Sequence, residues 1–541
     1  MRKKNMWESI RLEQRANLLD EIVFSTNAIA EAWAEKSSRS KRIPAGSHLE
    51  GEEWLTGPYA LIKYCKALAT SLRQVSSGKP NSNRDVRELP NGQVACRVFP
   101  KTVFDKVLQS GIKVDVWMEP HVAKDSFDVS VATQIRKPAG SNVSVVLGAG
   151  NVSSIAPLDC LYKLFFDNEV CCLKLNPVNS YLRAYFEAAL RPLTELGVLS
   201  IVEGDAKVGD YLCRHKTVGS LFITGSQKVH DTIVWGEGKD GKDNKTKNRP
   251  RNPRPIKSEL GGVSPTIVVP GPWTDKDIKY HSYQIATQKL ENEGHMCVAS
   301  QVLVLPKDWE KTFDLVDAIA LAMFDSEQRP AYYPGSEKRA RKLFANKAAL
   351  KVKRQDKNSL RSIVEFDSEA PSDFEQFEVF APVLTATRLE SKDAISFLNS
   401  AIRYANERLY GSLAANIVIH PKTVKQIGKA KLEEILADLH YGTIAINTWS
   451  GSAFTMPNAA WGAFPGKDLQ NVESGIGKVH NASLFDYPER TVVWAPFHQW
   501  PLPPWFVNHR SGKIVAKALT RFEATGSPIQ LAKLIFASFF P

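Results

Sequence analysis

Long apolar runs are missing from this sequence. A membrane-spanning helix needs about 18 or more consecutive apolar residues, and none of the 541 residues lies in such a run. The first residues are basic but continue charged through Arg11, Glu13 and Arg15, so they lack the apolar core of a secretory signal. We therefore expect neither a transmembrane helix nor a signal peptide.

Cysteine is scarce, and its placement excludes two common site types. The seven cysteines are odd in number and scattered, and none forms a metal-ligand spacing. Cys171 and Cys172 lie inside an apolar run that is typical of a buried strand. We expect no metal site and no disulfide framework, and the cysteine usage indicates a reducing, cytoplasmic setting.

Charge and length are informative only in broad terms. The chain is 43% hydrophobic and 24% charged, which is ordinary globular composition with enough length for two or three packed units. The formal net charge of +12 favours anionic ligands in a general way. It serves equally well as a solubility feature, so charge does not select a function class.

Strands alternate with helices through the first half of the chain. Each apolar run of strand length is followed by a segment of helical spacing, and this alternation predicts a doubly wound α/β domain with a mostly parallel sheet. The expected strands are 143–147, 170–175, 198–202 and 220–224, and the expected helices are 157–166 and 180–196.

The composition of three other segments predicts their local structure. Residues 127–136 alternate between apolar and polar side chains, which favours an exposed or intersubunit strand. Residues 236–256 are rich in Lys, Arg, Asn and Gly and predict a solvated basic loop. Deletion of most of 239–254 should leave folding and catalysis largely unchanged. The basic loop lacks interleaved aromatic residues for base stacking. Residues 527–539 predict an apolar helix that docks on a protein surface or a membrane interface.

Two short stretches contain residues suited to covalent catalysis. Cys297 ends the stretch 291–297 and precedes an apolar run, so its thiol is either a rigidly held nucleophile or a small buried hydrophobe. Glu259 lies beside Gly261 and Gly262 and next to another strand. Its carboxylate is suited to act as a general base if burial raises its pKa toward neutrality.

The two stretches together resemble the aldehyde dehydrogenase superfamily. The motif Glu259-Leu-Gly-Gly-x-Ser-Pro is followed by Asn292-x-Gly-x-x-Cys297, and the resemblance extends over roughly 90–500. It departs from the family pattern at His295, where glutamine is usual. The resemblance implies an α/β fold with a Rossmann-type cofactor-binding domain, an α/β catalytic domain and a small oligomerisation strand pair.

The resemblance also implies domain boundaries. The N-terminal helices and cofactor-binding domain would cover 1–123 and 139–258, and the catalytic domain 259–445. The oligomerisation strands would lie in 124–138 and 486–507, with C-terminal segments at 446–485 and 508–541.

Further site residues follow from the resemblance position by position. Asn151 matches the oxyanion-hole asparagine, although Ala149-Gly150 replaces the usual Pro-Trp before it. The residues that match cofactor contacts are Lys174, Gly225, Ser226, Glu378 and Phe380. His230 replaces a second glycine after Gly225, and Ala381 replaces the glycine before Pro382. The implied cofactor is NAD or NADP. NADP should be tolerated because Pro177 stands where many NAD-preferring relatives have an acidic residue.

The implied function is oxidation of an aldehyde to a carboxylic acid through a thiohemiacetal and a thioester on Cys297. Two alternatives stay open: a CoA-acylating enzyme of the same fold, and a non-catalytic scaffold or nucleic-acid-binding protein that uses the basic loop. We expect a hydrophobic or aromatic aldehyde, no nucleic-acid partner, and a homodimer or homotetramer. The residues that either line an apolar tunnel or belong to the core are Tyr162, Met296, Val298, Trp449 and Trp461.

Overall fold

Two β-sheets organise the chain in the computed structural model, which describes residues 2–78, 85–136, 142–370 and 372–540. The small sheet has six strands and the large sheet eleven. Both have parallel centres with helices packed beside them, so the α/β fold is confirmed.

The small sheet forms the first α/β unit. Its strands are parallel except for the short Gly475–Ile476, which runs antiparallel beside Ile256–Leu260. In spatial order they are Gly475–Ile476, Ile256–Leu260, Ser220–Gly225, Val143–Leu147, Val170–Lys174 and Leu199–Val202.

The large sheet contains a parallel centre with antiparallel edges. From Pro488–Trp494 to Ser362–Phe366 all neighbours are parallel, and most of these strands are buried along their length, as expected when helices cover both faces. In spatial order the strands are Asp85–Glu88, Val94–Phe99, Lys113–Met118, Pro488–Trp494, Thr443–Ile446, Ala414–Val418, Pro265–Val268, Val302–Pro306, Val383–Leu389, Ser362–Phe366 and Ala349–Arg354.

Helices surround both sheets, and one of them is central. Every residue of Ile155–Phe165 is buried, because this largely apolar helix packs on the small sheet and on the N-terminal helices. The other helices are Arg2–Ser9, Leu12–Ser40, Glu50–Trp54, Ala60–Ser76, Val103–Leu108, Thr133–Arg136, Arg183–Ala189, Arg191–Glu195, Ala206–Arg214, Gln227–Trp235, Gly238–Thr246, Asp275–Leu290, Thr312–Asp325, Ser336–Phe344, Asp373–Gln376, Ala394–Arg408, Pro421–Ile427, Lys429–Ala437, Gly512–Thr525 and Pro528–Ser538.

The strand predicted at 127–136 is wrong. The segment forms a 3₁₀ helix at Lys124–Ser130 and a short α-helix at Thr133–Arg136. Phe127 and Val131 are buried in the core, and Val131 forms an isolated β-bridge with Phe485. Val129 of the same alternation is 63% exposed, so the period-2 pattern predicted neither the burial of every apolar position nor the strand, which also needs a neighbouring strand in register.

The late strand exists but lies in the interior of the large sheet. Pro488–Trp494 pairs with Lys113–Met118 on one side and with Thr443–Ile446 on the other. The strands Val94–Phe99 and Lys113–Met118 therefore belong to the large sheet rather than to the small sheet of the cofactor-binding unit. Such pairings join residues far apart in sequence, and local patterns do not specify them.

The basic segment 236–256 is not a loop throughout. Residues Gly238–Thr246 form a helix that packs beside Gln227–Trp235. The Asn244 amide donates to Trp235 O at 2.9 Å, and Lys245 pairs with Asp231 at 2.8 Å. These contacts stabilise a helix whose composition alone does not favour one.

Several boundaries differ from the expected ones. The helix expected over 180–196 is divided, and its second part begins just before Pro192. The helix Gly512–Thr525 was not predicted. Within the described ranges, no helix is both long enough and apolar enough to cross a membrane.

Candidate active site

The cysteine loop has a strained backbone. Asn292, Glu293 and Gly294 have φ values of 50°, 52° and 74°, so three consecutive residues are left-handed just before the cysteine. At Gly294 a Cβ would lie 2.5 Å from Ala381 O, so glycine is required there for space as well as conformation. Strain of this kind persists only when surrounding contacts fix the backbone.

Buried ion pairs supply those contacts. Arg361 donates to both carboxylate oxygens of Glu293, at 3.0 and 2.9 Å. Glu52 accepts from the backbone N–H of Asn292 at 3.2 Å and from Arg329 at 2.7 Å. We call the surrounding group the loop ion cluster; its members are Lys41, Glu52, Glu53, Glu291, Glu293, Arg329 and Arg361.

Cys297 and Glu259 are neighbours. Burial raises the pKa of the Cys297 thiol well above its ordinary value, and the nearby Glu259 carboxylate raises it further. Burial also raises the pKa of Glu259, while its interaction with Cys297 acts in the opposite direction. A thiol beside a carboxylate of raised basicity can transfer its proton to that carboxylate.

Glu259 lies at the end of a strand and is held from behind. It belongs to Ile256–Leu260 and is 1% exposed. Its Oε2 accepts a hydrogen bond from Trp461 Nε1 at 3.1 Å, whereas Oε1 has no partner within hydrogen-bond geometry among the described residues. One oxygen is thus fixed, and the other remains available for a proton.

Asn151 reaches the cysteine loop. Its Nδ2 donates to His295 O at 3.0 Å, and the Asn292 amide donates to Asn151 O at 3.1 Å. The structure thereby brings Asn151, Cys297 and Glu259, the three predicted catalytic residues, into one site.

A second buried pair lies behind Glu259, and sequence reasoning missed it. His480 Nε2 lies 3.0 Å from Asp159 Oδ1, and Thr224 donates to Asp159 Oδ2 at 2.9 Å. Burial lowers the pKa of His480 to about 4, and the Glu259 charge acts against this shift. No sequence signal relates Asp159 to His480, because 321 residues separate them.

The predicted phosphate-binding turn follows the strand Ser220–Gly225. Ser226 is the N-cap of the helix Gln227–Trp235, and its hydroxyl accepts from Val229 N at 3.4 Å. Gly225 is exposed, with only Ile223 side-chain atoms near the position of a Cβ. His230 is fully buried, so its imidazole does not obstruct the turn. An exposed helix N-terminus of this kind suits a pyrophosphate.

Lys174 lies at the end of the strand Val170–Lys174, which Val143–Leu147 separates from Ser220–Gly225, and it is 7% exposed. Burial lowers the pKa of its ammonium group, and Asp205 acts in the opposite direction. The amide of Asn176 approaches Gly150 so closely that a Cβ there would lie 2.7 Å away. Because the strands of the small sheet that end at Lys174 and Gly225 run parallel, both residues lie at the same edge of the sheet.

Glu378 connects the predicted cofactor residues with the catalytic pair. Burial raises the pKa of its carboxyl to about 8, with Lys289 acting in the opposite direction, and its charge affects Cys297. Its carboxylate lies against Gly261, where a Cβ would come within 2.1 Å, and its Oε1 lacks a partner among the described residues. This unpaired oxygen fits a ribose hydroxyl. Phe380 follows with a left-handed φ of 46°.

Lys289 is a further residue that the sequence did not reveal. Its side chain is fully buried, and burial lowers its pKa to about 7, with the Glu378 charge acting in the opposite direction. Its Nζ donates to Gln301 Oε1 at 3.3 Å. A buried lysine within an otherwise polar helix gives no warning in the sequence.

His295, which departs from the family pattern, has a structural role. Its imidazole lies 2.9 Å from Asn292 O and 3.0 Å from Ser336 Oγ, and it stacks on Tyr333. Burial lowers its pKa to about 3, so the ring is neutral at physiological pH. It connects the strained loop to the helix Ser336–Phe344.

The proposed tunnel residues are all buried in the largest apolar cluster. Trp449 Nε1 donates to Val298 O at 3.1 Å, which places this tryptophan beside the cysteine loop. Tyr162 instead stacks on Phe166 and accepts from Lys257, so it belongs to the core beneath the small sheet. The described residues include no group of three metal-ligating side chains.

Part of the sequence is similar to known proteins. Residues 177–323 match the Aldehyde dehydrogenase family. An aldehyde dehydrogenase from Enchytraeus buchholzi is 23% identical over 320 residues, covering 53% of this chain and 56% of the relative. The chain spans about half the length of the curated relatives it matches, or less.

Solved structures share the fold across most of the chain. A glyceraldehyde-3-phosphate dehydrogenase from Methanocaldococcus jannaschii complexed with NADP has a TM-score of 0.56 at 15% identity, covering 92% of each chain. An aldehyde dehydrogenase from Mycobacterium tuberculosis complexed with NAD+ has a TM-score of 0.59 at 16% identity, covering 90% of this chain and 86% of the other.

Proposed function

We propose, from the premise that the chain belongs to the aldehyde dehydrogenase superfamily, that it oxidises an aldehyde to a carboxylic acid with NAD or NADP. The observation that carries the proposal is the pairing of the Cys297 thiol with the buried Glu259 carboxylate next to Asn151. The arrangement provides a nucleophile, its base and an oxyanion donor in one site.

In the first half of the reaction, Glu259 accepts the thiol proton and the Cys297 sulfur attacks the aldehyde carbon. The carbonyl oxygen becomes an oxyanion, which the Asn151 amide and the backbone N–H of Cys297 stabilise. One such donor contributes about 2.7–4 kcal/mol to transition-state stabilisation. The bound nicotinamide supplies the acceptor for the hydride, which leaves a thioester on Cys297.

Before the second half, Glu259 releases the thiol proton to solvent. It then removes a proton from water, and the resulting hydroxide attacks the thioester carbon. The carbon–sulfur bond breaks, the carboxylic acid leaves, and the thiolate takes the proton back from Glu259, which restores the starting pair. The raised pKa of Glu259 suits it to both proton transfers, because a stronger base takes protons more readily. The buried Asp159–His480 pair lies behind this carboxylate and interacts electrostatically with it.

The residues present fit a dinucleotide. Gly225 and Ser226 would hold the pyrophosphate, Lys174 the adenine ribose, and the unpaired Glu378 Oε1 the nicotinamide ribose, with Phe380 beside it. Pro177 offers no carboxylate to repel a 2′-phosphate, so NADP should be accepted.

Cofactor choice is tested by measuring kcat/KM for NAD and NADP with one good aldehyde. We expect less than about a hundredfold discrimination, which corresponds to roughly 2.8 kcal/mol. A stronger preference for NAD would show that a group other than residue 177 excludes the phosphate.

The activity itself is tested by following NAD(P)H formation with a panel of aldehydes, each assayed with and without CoA. Oxidation without CoA, strongest with hydrophobic or aromatic aldehydes, is the expected result. If turnover requires CoA, the thioester is resolved by acyl transfer to CoA rather than by hydrolysis. No reduced cofactor with any aldehyde would contradict the proposal.

We also propose a cytoplasmic homodimer or homotetramer. The cysteine usage supports the cytoplasmic part of this proposal. Sedimentation velocity of the purified chain tests it, and a monomer at micromolar concentration would contradict it.

A further inference from the structure

The C-terminal helix Pro528–Ser538 buries only one side. Its residues Leu534 and Ala537 pack against Val515 and Ala518 of the helix Gly512–Thr525. The opposite side and the end of the helix are solvent-exposed and strongly apolar. We call this surface the C-terminal patch; it consists of Trp500, Ile529, Ala532, Ile535, Phe536, Phe539 and Phe540.

The aromatic members of the patch form one continuous surface. Trp500 is 73% exposed and its ring lies 5.4 Å from Phe539, while Phe536 and Phe540 lie 4.9 Å apart. The hydroxyl of Ser511 donates to Phe540 O at 2.6 Å, which fixes the end of the chain segment next to the Trp500 loop. Contiguous exposed apolar surface of this kind marks an interaction site.

The chain segment that contains the patch is predominantly basic. Residues 495–541 contain five Lys or Arg side chains and a single acidic one, Glu523. Three of the five cations pair with carboxylates of the N-terminal helices, namely those of Glu31 and Glu50. Arg510 and Lys533 are exposed; Lys533 lies in the helix one turn before Phe536, and Arg510 precedes Ser511, which is bonded to Phe540. The patch therefore combines aromatic side chains with cations and offers no carboxylate of its own.

We propose that the C-terminal patch binds the surface of a lipid bilayer that contains anionic phospholipids. The helix would lie in the plane of the interface, with its phenylalanines and Trp500 at the boundary between headgroups and acyl chains. Arg510 and Lys533 would contact lipid phosphates, since the aliphatic stem of a lysine can lie along apolar surface while its ammonium group reaches the headgroups.

A second copy of the chain fits the patch less well. A two-fold interface places the same surface on both partners. Each copy would therefore bring its own Arg510 and Lys533 to the interface, and the patch contains no carboxylate to pair with them. Such like-charge contacts are unfavourable when desolvated. The lipid surface satisfies both the apolar rings and the cations.

The test is co-sedimentation of the full chain with vesicles, one set of phosphatidylcholine alone and one containing about a quarter phosphatidylserine. The variant Phe536→Ser with Phe539→Ser removes two exposed rings from the patch. The matched control is Phe24→Ser with Phe313→Ser, which removes two rings that are 76% and 60% exposed elsewhere. We expect the wild type and the control to bind the anionic vesicles, and the patch variant to bind roughly tenfold less.

Three results would overturn the proposal. The wild type could remain in the supernatant with both vesicle types, or the control could lose as much binding as the patch variant. Sedimentation velocity without lipid could show that the patch variant alone converts a dimer to monomers, which would make the patch an interface between copies. If the serine variant does not fold, Arg510→Glu with Lys533→Glu decides, and we expect it to abolish the preference for anionic vesicles.

Discussion

Glu259 makes Cys297 harder to ionise, whereas the interaction with Cys297 favours the ionised form of the Glu259 carboxylate. The negative carboxylate opposes formation of a thiolate, and burial opposes both charges. In the proposed mechanism the pair shares one proton, which passes from sulfur to oxygen when the attack on the aldehyde begins. The two groups act as a unit, so removing either should impair the proposed reaction.

Cys297→Ser should lower aldehyde oxidation by at least about a thousandfold, because a hydroxyl is a far weaker nucleophile than a thiolate and such groups act together. Cofactor binding, measured by the shift in melting temperature with NAD or NADP, should be retained. Cys172→Ser, which changes a partly exposed cysteine in Val170–Lys174, is the control and should keep full activity. Near-normal turnover of the Cys297 variant would remove the thioester from the mechanism.

Glu259→Gln should slow thioester hydrolysis more than acylation, because an amide cannot take a proton from water. The expected stopped-flow trace is a rapid burst of NAD(P)H followed by slow turnover. In the wild type, the slow step should accelerate as the pH rises above the ordinary range of a carboxyl, since burial raises the pKa of Glu259. Glu237→Gln, at an exposed position, is the control. An unchanged steady-state rate for Glu259→Gln would assign the base to another residue.

The basic segment 236–256 shows how an element of unfavourable composition is stabilised. Its helix Gly238–Thr246 is exposed, but the chain that returns from it is bound to the small-sheet unit. The Asn252 amide donates to Cys213 O at 3.1 Å, and Arg254 donates to Val218 O at 2.8 Å. The fold should therefore tolerate changes in the helix, but not removal of the segment up to 254.

Asn252→Ala should lower the free energy of unfolding by about 1–3 kcal/mol, because it leaves the buried Cys213 carbonyl without this donor. Urea denaturation measures the loss. Lys242→Ala, at an exposed position in the same segment, is the control and should change stability by less than about 0.5 kcal/mol. Equal stability of the two variants would mean that the return chain contributes little.

The loop ion cluster connects three parts of the whole molecule. Its members come from the N-terminal helices, the cysteine loop and the segments before and after the helix Ser336–Phe344. It contains four carboxyl groups and three cations, so the cluster is not fully neutralised when all are charged. Burial, reinforced by the charge of Glu52, raises the pKa of Glu291 well above its ordinary value.

The pH dependence of stability should change in Glu291→Gln. A carboxyl with a raised pKa in the folded state keeps its proton where the unfolded chain has lost it. Its contribution to stability is therefore complete below the unfolded pKa of about 4.3 and is lost as the pH rises. The glutamine variant keeps a neutral group throughout, so its melting temperature should exceed that of the wild type at pH 8 and converge with it near pH 4.5. Glu237→Gln should show no such convergence. A variant that is less stable than the wild type at pH 8 would indicate that Glu291 is ionised in the folded protein.

Features encoded in short stretches were predictable from the sequence. The alternation of strands and helices gave the α/β class, because hydrophobic period and turn residues are local properties. Cys297, Glu259 and Asn151 were also identifiable, because each lies in a short motif next to a strand or turn. The cofactor contacts at 174, 225–226 and 378 were inferred from short motifs in the same way, and they stay predictions.

Only the tertiary structure decided which distant residues meet. Asp159 and His480 form a buried pair across 321 residues, and Glu378 lies against Gly261 beside the catalytic pair. The strand Pro488–Trp494 entered the large sheet, and 127–136 became helical because no neighbouring strand pairs with it in register. These outcomes depend on burial and pairing between segments far apart in the chain, and a local pattern of side chains contains no information about its partner.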